Sequence, residues 1–364
     1  MDATHVPSII EGRRPIDADL KREIDSVFSQ TLALRRKDFL VQLHVTPRGR
    51  RSPPPASDFV ILAGIGSGSF GDVYLVRWHG AAVRRHVAMK VLSKEKIVGR
   101  KQVRHAIEEK RLTAAMSYPF VMTLHATFQD NANLFMVMPY MPCGDLFAYL
   151  CSRTDMEANT AVFLTAQVIL GIEYLHNNDI VYRDLKPENI MMDTKGYLKI
   201  ADFGFAKLVH LRAWTFCGTP EYIAPEIIKN VGYWKPIDWW AVGILIYELL
   251  VGRSPFHAKS DAEIFEKILE CKPDYPENLS PASRDLMQNL IVLDPTRRYG
   301  SLFNGVMDIK CHPWFYPYDW IPLLNQNVEA PFTMPKKKLP RSDSETLKIP
   351  KSDTMLYADE FVDF

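Results

Sequence analysis

Apolar positions change their spacing several times along the 364-residue chain. Over residues 17–43, Leu20, Ile24, Val27, Phe28, Leu32, Phe39, Leu40 and Leu43 recur every three or four positions, with arginines and lysines between them. That period predicts an amphipathic helix whose apolar stripe needs a groove on a larger body. Residues 47–56 (Pro-Arg-Gly-Arg-Arg-Ser-Pro-Pro-Pro-Ala) suit neither helix nor sheet and read as a linker. From Phe59 the pattern shortens to β-type runs at 59–62, 72–76 and 86–92, with a glycine-rich turn between the first two. Runs at 122–128 and 134–140 extend the same small sheet, after a helix expected over about 100–116. Beyond Gly144 the pattern is mainly helical, at 146–151, 159–177, 237–252, 261–270 and 281–292. A hairpin joins 190–192 to 198–200 through the turn Asp193-Thr194-Lys195-Gly196. A β-rich part followed by a helical part predicts an α+β architecture of two lobes with a cleft between them. The organisation expected is an N-terminal extension (1–58), a small lobe (59–141), a larger helical lobe (142–313) and a tail (314–364).

Composition narrows the classes. With 47% hydrophobic and 24% charged residues, the chain has the make-up of a globular enzyme with a substantial core. A net charge of +1 provides no global field for nucleic acid or an anionic membrane, so charge-based recognition has to be local. Cys143, Cys151, Cys217, Cys271 and Cys311 are scattered, odd in number and never paired as Cys-x-x-Cys. That argues against a disulfide framework or zinc site and predicts a reducing compartment, the cytoplasm or also the nucleus. Met1-Asp2-Ala3-Thr4-His5 carries no cleavage signal, and Asp2 stands where an N-myristoyl anchor needs glycine. The apolar run Ala241–Val251 is short and bounded by Asp238 and Glu248, as expected of a buried helix and not of a membrane span.

The densest chemistry lies in Tyr182-Arg183-Asp184-Leu185-Lys186-Pro187-Glu188-Asn189, followed by Asp202-Phe203-Gly204. Such a set suits a loop that accepts a proton while carboxylate and amide oxygens hold a divalent cation. A plain polar turn would account for the residue types but not for their order. Upstream, Gly66-Ser67-Gly68-Ser69-Phe70-Gly71 fits two readings. A dinucleotide fold requires a helix directly after the last glycine, whereas Asp72-Val73-Tyr74-Leu75-Val76 alternates like a strand. A glycine hairpin between strands lays backbone N–H groups over phosphates without obstruction. Lys90 ends an apolar run, where a charge is costly unless paired, and Glu109 is its obvious partner on the next helix.

Taken together, Gly66-x-Gly68-x-x-Gly71-x-Val73, Ala88-Met89-Lys90, Glu109, Tyr182 to Asn189, Asp202-Phe203-Gly204 and Ala224-Pro225-Glu226 resemble a complete eukaryotic protein kinase domain. The likeness continues through Asp238 to Arg298 and covers roughly residues 59–313. Lys186-Pro187-Glu188 is similar to the serine/threonine class. Arg212 to Tyr222 is similar to the AGC group, most of all to the cyclic-AMP-dependent catalytic subunits, with the cyclic-GMP-dependent kinases as near neighbours.

The resemblance implies a bilobal kinase fold that uses ATP and two Mg2+ ions. Lys90, held by Glu109, would grip the α- and β-phosphates; Asp184 would accept the substrate hydroxyl's proton and Lys186 would contact the γ-phosphate. Asn189 and Asp202 would bind the metals. Nucleotide contacts would come from Gly66, Ser67, Gly68, Ser69, Phe70, Gly71, Val73, Ala88 and Met138, with Tyr140 and Met141 in the hinge and Met191 beneath the base. Pro139 departs from the family's glutamate, and Tyr182 from its commoner histidine at a structural position. Thr215 would be the activating phosphosite, read by Arg183, Lys207 and His105. Asp145, Glu188 and Glu248 would receive substrate arginines; Asp145 is shorter than the family's glutamate. Phe216, Thr219, Pro220 and Ile223 would face the residues around the acceptor. Arg212 and Trp214 would contact an inhibitory regulatory subunit that binds cyclic nucleotide. Phe361 and Phe364 would fill a pocket on the small lobe, and the tail segment covering the nucleotide lies in either Asp343–Leu347 or Asp353–Tyr357. Partners expected are basic protein substrates, with no nucleic acid and no stable membrane anchor. A catalytically silent nucleotide-binding scaffold and a nicotinamide-dependent oxidoreductase are the competing classes; filled catalytic positions weigh against the first and the strand after Gly71 against the second.

Overall fold

The first helix forms where its spacing predicts it. In the computed structural model, which describes residues 18–44, 54–80, 85–153, 156–316, 318–333 and 349–364, α1 spans Ala18–His44. It buries Ile24, Phe28, Leu32, Phe39 and Leu43. Leu20 and Leu40 stay about two-fifths exposed, so the stripe is narrower than expected: Leu40 sits one residue, about 100°, off the Phe39 face. The groove it needs is shared between lobes. Arg111 Nε donates to the Leu43 carbonyl at 3.4 Å, while Arg36 reaches the Asp179 carboxylate at 2.6 Å. Lys310 Nζ lies 3.3 Å above the Phe28 ring and 2.5 Å from Glu173. Burial pulls the Lys310 pKa down and Glu173 only partly offsets this; burial likewise pushes Glu173 up. Most of the expected linker lies outside the described residues; Ala56–Asp58 form a single 3-10 turn.

The small lobe contains β1 (Phe59–Ser67), β2 (Gly71–Trp78), β3 (Arg85–Ser93), α2 (Lys94–Gly99), α3 (Val103–Ala115), β4 (Ala126–Gln129) and β5 (Asn133–Pro139). The five strands pair antiparallel in the order β1-β2-β3-β5-β4. The helix expected over about 100–116 forms as α3, and a separate short helix, α2, precedes it where the Ser93 side chain caps the Lys96 N–H; the two are divided at Lys101, whose φ is +57°. One expectation is corrected here. The run at 122–128 is a strand only from Ala126, because Met122 N donates to the Ile200 carbonyl at 2.8 Å and ties that stretch to the large lobe. Register decides which residues face the cleft. Val73, Lys90 and Met136 are direct cross-strand neighbours, as are Leu75, Ala88 and Met138, so both rows share one face. The alternate residues Tyr74, Val76, Val87, Met89, Val91, Phe135 and Val137 pack with Phe128 into the core on the other face.

The large lobe runs through α4 (Leu146–Cys151), α5 (Ala158–Asn177), β6 (Ile180–Val181), β7 (Ile190–Met192), β8 (Leu198–Ile200), β9 (Lys207–Leu208), α6 (Pro225–Ile228), α7 (Pro236–Val251), α8 (Asp261–Glu270), α9 (Pro281–Leu290), α10 (Met307–Lys310) and α11 (Trp320–Leu324). By length and composition α5 could cross a membrane, yet 89% of its apolar window is buried inside the molecule. α7 starts at a first-turn proline and stops at Gly252, whose φ of +80° suits glycine. Arg298, fully buried, forks onto both oxygens of Glu226 at 2.8 and 3.1 Å and donates to the Pro236 and Val292 carbonyls. A buried guanidinium persists only when its donors are satisfied in this way.

The tail ends on the small lobe. Phe361 is fully buried among Leu92, Ile97, Ala106, Leu134 and Met136, with Phe364 packed beside it. Lys110 Nζ donates to the Asp363 carbonyl at 2.9 Å, and Gln129 Nε2 to that of Phe361 at 3.1 Å. Tyr357 packs in this same cluster, and Leu356 N bonds to the Asn131 carbonyl, so Asp353–Tyr357 lies along the flank of the small lobe. The other candidate, Asp343–Leu347, lies outside the described residues. Deleting a buried phenylalanine ring costs about 3–5 kcal/mol. Phe361→Ala is therefore expected to speed limited proteolysis within residues 349–364 by roughly 100-fold or more, which cleavage kinetics followed by mass spectrometry would measure.

Candidate active site

Asp184 is 5% exposed and its carboxylate is held from three sides. Asn189 Nδ2 donates to Oδ2 at 2.8 Å and to the Asp184 carbonyl at 2.9 Å; Thr219 Oγ1 donates to Oδ1 at 2.8 Å; Lys186 Nζ lies 3.2 Å from Oδ2. Lys186 also donates to Thr219 Oγ1 at 2.9 Å. Thr219 was expected to face the substrate. The structure instead makes it the bridge between Asp184 and Lys186, because the loop before α6 folds back over the catalytic loop. Donors around an ionised carboxylate fix its orientation and favour its charged form.

The backbone beneath this network is strained and specifically supported. Arg183 has a φ of +72°, unusual for a residue with a Cβ. Asp238, buried in the first turn of α7, accepts the Tyr182 and Arg183 N–H groups at 2.9 Å each, plus His176 Nε2 at 2.8 Å. In the sequence Asp238 stands out as part of the likeness and as the boundary of an apolar run, not as the support of this loop. The signal for its role was a lone acid opening an almost wholly apolar helix, which is tolerable only if the charge is satisfied. Tyr182, fully buried, donates from its hydroxyl to the Ala201 carbonyl and packs edge-on to Phe203 at 5.5 Å. It braces the loop from below, as expected of a structural position.

Across the cleft, Lys90 Nζ is 2.6 Å from Glu109 and 3.8 Å from Asp202. Burial alone would lower the Lys90 pKa; Glu109 and then Asp202 outweigh it and hold the ammonium above the ordinary lysine range. Asp202 also stands at positive φ, +54°, with its carboxylate about half exposed and taking the Gly204 N–H at 3.3 Å. Above Lys90, Gly68 N bonds to the Gly71 carbonyl at 2.8 Å and closes the turn between β1 and β2. A Cβ on Gly71 would lie 1.7 Å from the Val91 carbonyl oxygen, so only glycine lets these strands approach. Val73, Ala88 and Met138 line the same sheet face as Lys90, whereas Phe70 packs towards α2 beneath the Arg100 guanidinium. Met141 is buried below the hinge, and Met191 pairs with Asp145 in an isolated bridge that places it at the cleft's floor.

Asn189 and Asp202 are the two protein donors set for a cation. The amide nitrogen of Asn189 is committed to Asp184, which leaves its oxygen for the metal. Two protein donors are too few for a self-sufficient site, and among the described residues no cluster of three or more acidic, histidine or cysteine side chains supplies one. Mg2+ characteristically completes its shell with water and substrate phosphates, so the donor set fits.

The remaining predicted residues divide. Thr215 is exposed; its carbonyl accepts the Tyr233 hydroxyl at 2.6 Å, and Tyr233 in turn takes Arg183 Nη1 at 3.0 Å. Arg183 is thereby linked to the Thr215 backbone through Tyr233, a residue the sequence reading did not single out. Lys207 lies in β9 opposite Val181, and His105 bonds to Gln102 on its own helix. On the other side, Glu248 accepts the Tyr222 hydroxyl. Burial pushes the Glu248 carboxyl up, Tyr222 opposes this, and the nearby charges of Glu188 and Glu221 push it up further. Asp145 is tied at one oxygen as the cap of α4, accepting Ala148 N at 2.7 Å. Phe216 is exposed and meets the Phe265 ring edge-on at 5.8 Å, but Ile223 is only 3% exposed and contributes from beneath the surface. Arg212 stacks over Trp234 at 5.1 Å, and Trp214 is 59% exposed.

Two lobes, a glycine hairpin over a paired lysine, and an acid–asparagine–acid set beneath it define a phosphate-handling cleft of the kinase class. The family model described as Protein kinase domain matches residues 59–315. The chain is 44% identical over 327 residues to the cAMP-dependent protein kinase catalytic subunit of Schizosaccharomyces pombe, covering 89% of this chain and 63% of that protein. It is 42% identical over 306 residues to the cAMP-dependent protein kinase catalytic subunit PRKX of Homo sapiens, covering 83% and 85%. With cAMP-dependent protein kinase type 3 of Saccharomyces cerevisiae it shares 44% identity over 279 residues, covering 77% and 70%. The chain belongs to the protein kinase family, the ATP-dependent phosphotransferases.

Thr219→Val keeps the shape but removes the hydroxyl that joins Asp184 to Lys186. Losing a charge-assisted hydrogen bond of about 1.5–3 kcal/mol predicts a roughly 10- to 100-fold fall in kcat, with little change in nucleotide affinity, measured by steady-state kinetics and nucleotide titration.

Proposed function

We propose that this chain transfers the γ-phosphoryl group of ATP to serine or threonine hydroxyls flanked by arginines. The observation that carries the reading is the Asp184 network with the acids Glu188, Glu221 and Glu248 gathered alongside it. Asn189 and Asp202 would hold Mg2+, which would supply charge neutralisation for the phosphates. Lys90, kept charged by Glu109, orients the non-transferred phosphates. Asp184, its Oδ1 and Oδ2 held by Thr219, Asn189 and Lys186, aims at the acceptor hydroxyl and takes its proton as the hydroxyl oxygen attacks. Lys186 lies beside that carboxylate, where it compensates charge on the migrating group. Most of the work is positioning, which is why the chain invests its buried hydrogen bonds there.

The likeness to cAMP-dependent kinases supports regulation of the same kind. A phosphate on exposed Thr215 would meet Arg183, whose guanidinium already bonds to Tyr233, and Lys207. The exposed Trp214 with Leu211 offers an apolar surface to an inhibitory subunit responsive to a cyclic nucleotide.

Phosphate transfer to an arginine-rich serine peptide, abolished in Asp184→Ala and retained in folded wild-type protein, tests the reading; wild-type protein that binds ATP without transfer would establish a silent scaffold instead. Peptide recognition also carries a pH signature. Because Glu248 loses its proton at higher pH than an ordinary glutamate, its negative charge, and with it affinity for arginine, builds as pH rises through that displaced range. KM for the peptide is expected to fall as pH rises through the range above that of an ordinary glutamate. The Glu248→Gln variant should show a higher and flatter KM profile over the same range.

A further inference from the structure

Glu221 is two residues from Thr219, which touches the catalytic carboxylate, and adjoins Tyr222, which touches Glu248. It therefore belongs to the wall of the groove that holds Glu188 and Glu248. Its carboxylate already has a partner within this chain: His257 Nδ1, on the loop between α7 and α8, lies 2.7 Å from Glu221 Oε1. The His257 loop is itself held in place, since Lys267 Nζ from α8 donates to the His257 carbonyl at 2.7 Å. The His257 side chain is 67% exposed and Glu221 27%, so this contact is solvent-accessible and of the weak, displaceable kind.

We propose that His257 is a positioning residue that limits how many basic residues of a substrate the groove reads, by occupying Glu221. The proposal rests on the reading of the site as an arginine-directed kinase. With His257 in place, Glu188 and Glu248 are the acids presented with oxygens to spare, and a further arginine gains Glu221 only by displacing the imidazole. The imidazole takes the place on Glu221 that a substrate guanidinium would otherwise fill. It lowers the benefit of an additional arginine and sets the selectivity between moderately and strongly basic sequences, a substrate-class effect that the catalytic network does not determine.

Peptides carrying two arginines before the serine, and a series in which a third arginine is stepped towards the N-terminus, test this. The quantity read is the best three-arginine over two-arginine ratio of kcat/KM, which is independent of the folded fraction of each variant. For the wild type the ratio is expected to stay within about threefold, and in His257→Ala to rise by a further five- to tenfold, carried by KM with kcat unchanged. His257→Lys, which places a cation beside Glu221, is expected to hold the ratio at or below the wild-type value. Glu221→Gln should bring it to about one, with no further response to His257→Ala in that background. An unchanged ratio in His257→Ala, a rise in His257→Lys equal to that in His257→Ala, or a rise that persists without Glu221 would overturn the proposal. Failure of the wild type to phosphorylate even the two-arginine peptide would instead overturn the reading of the site, and this proposal with it.

Discussion

One buried carboxylate supports the architecture of the site. Asp238 takes two consecutive backbone N–H groups of the catalytic loop, and those bonds hold Arg183 in a left-handed conformation that an L-residue otherwise avoids. That kink turns the loop so that Asp184, the next residue, points into the cleft and Arg183 towards Tyr233 and the Thr215 backbone. Without the acceptor, the two N–H groups would be buried and unsatisfied, and the strain would have nothing to oppose it. Asp238 can serve because it opens α7, where its charge meets the unsatisfied N-terminal end of a helix fixed in the core by Trp239, Trp240 and Ile244.

The small lobe contributes by a different rule. Strand alternation alone puts Val73, Ala88, Lys90 and Met138 on the cleft face and an apolar set on the other, so a one-residue slip would bury Lys90 and expose the core. What limits that slip is packing: Gly71 against Val91, the Lys90–Glu109 pair, and the buried Phe361 against Leu92 and Met136 on the same face as Lys90. Phe361 comes from the far end of the chain, yet it touches Met136 and Leu92, which flank Lys90 in the sheet. The tail is thus part of the lobe's core.

Electrostatics at the groove show how neutral overall charge coexists with charge-based recognition. Burial pushes the part-buried Glu248 carboxyl up and the nearby charges of Glu188 and Glu221 add to it, while the Tyr222 hydroxyl partly offsets the shift. Asp145 has one oxygen used to cap α4.

Much of the fold was legible because periodicity is a local property. The α1 stripe, the strand after Gly71, the long helix α5 and the hairpin at Asp193–Gly196 all follow from short-range spacing and turn residues. The candidate catalytic and metal-binding positions stand out for the same reason, since Asp184, Lys186 and Asn189 are sequence neighbours and Lys90 is a charge within an apolar run. Contacts between distant segments left no such trace. That Thr219 bonds to Asp184, that Tyr233 links Arg183 to Thr215, that His257 occupies Glu221, and that 122–125 belongs to the large lobe depend on loops meeting across tens of residues. The sequence by itself determined which residue types were available, their periods and the order of the chemical stations. Only the tertiary structure decided which oxygen each donor reaches, because hydrogen bonds are directional and burial is set by the whole chain.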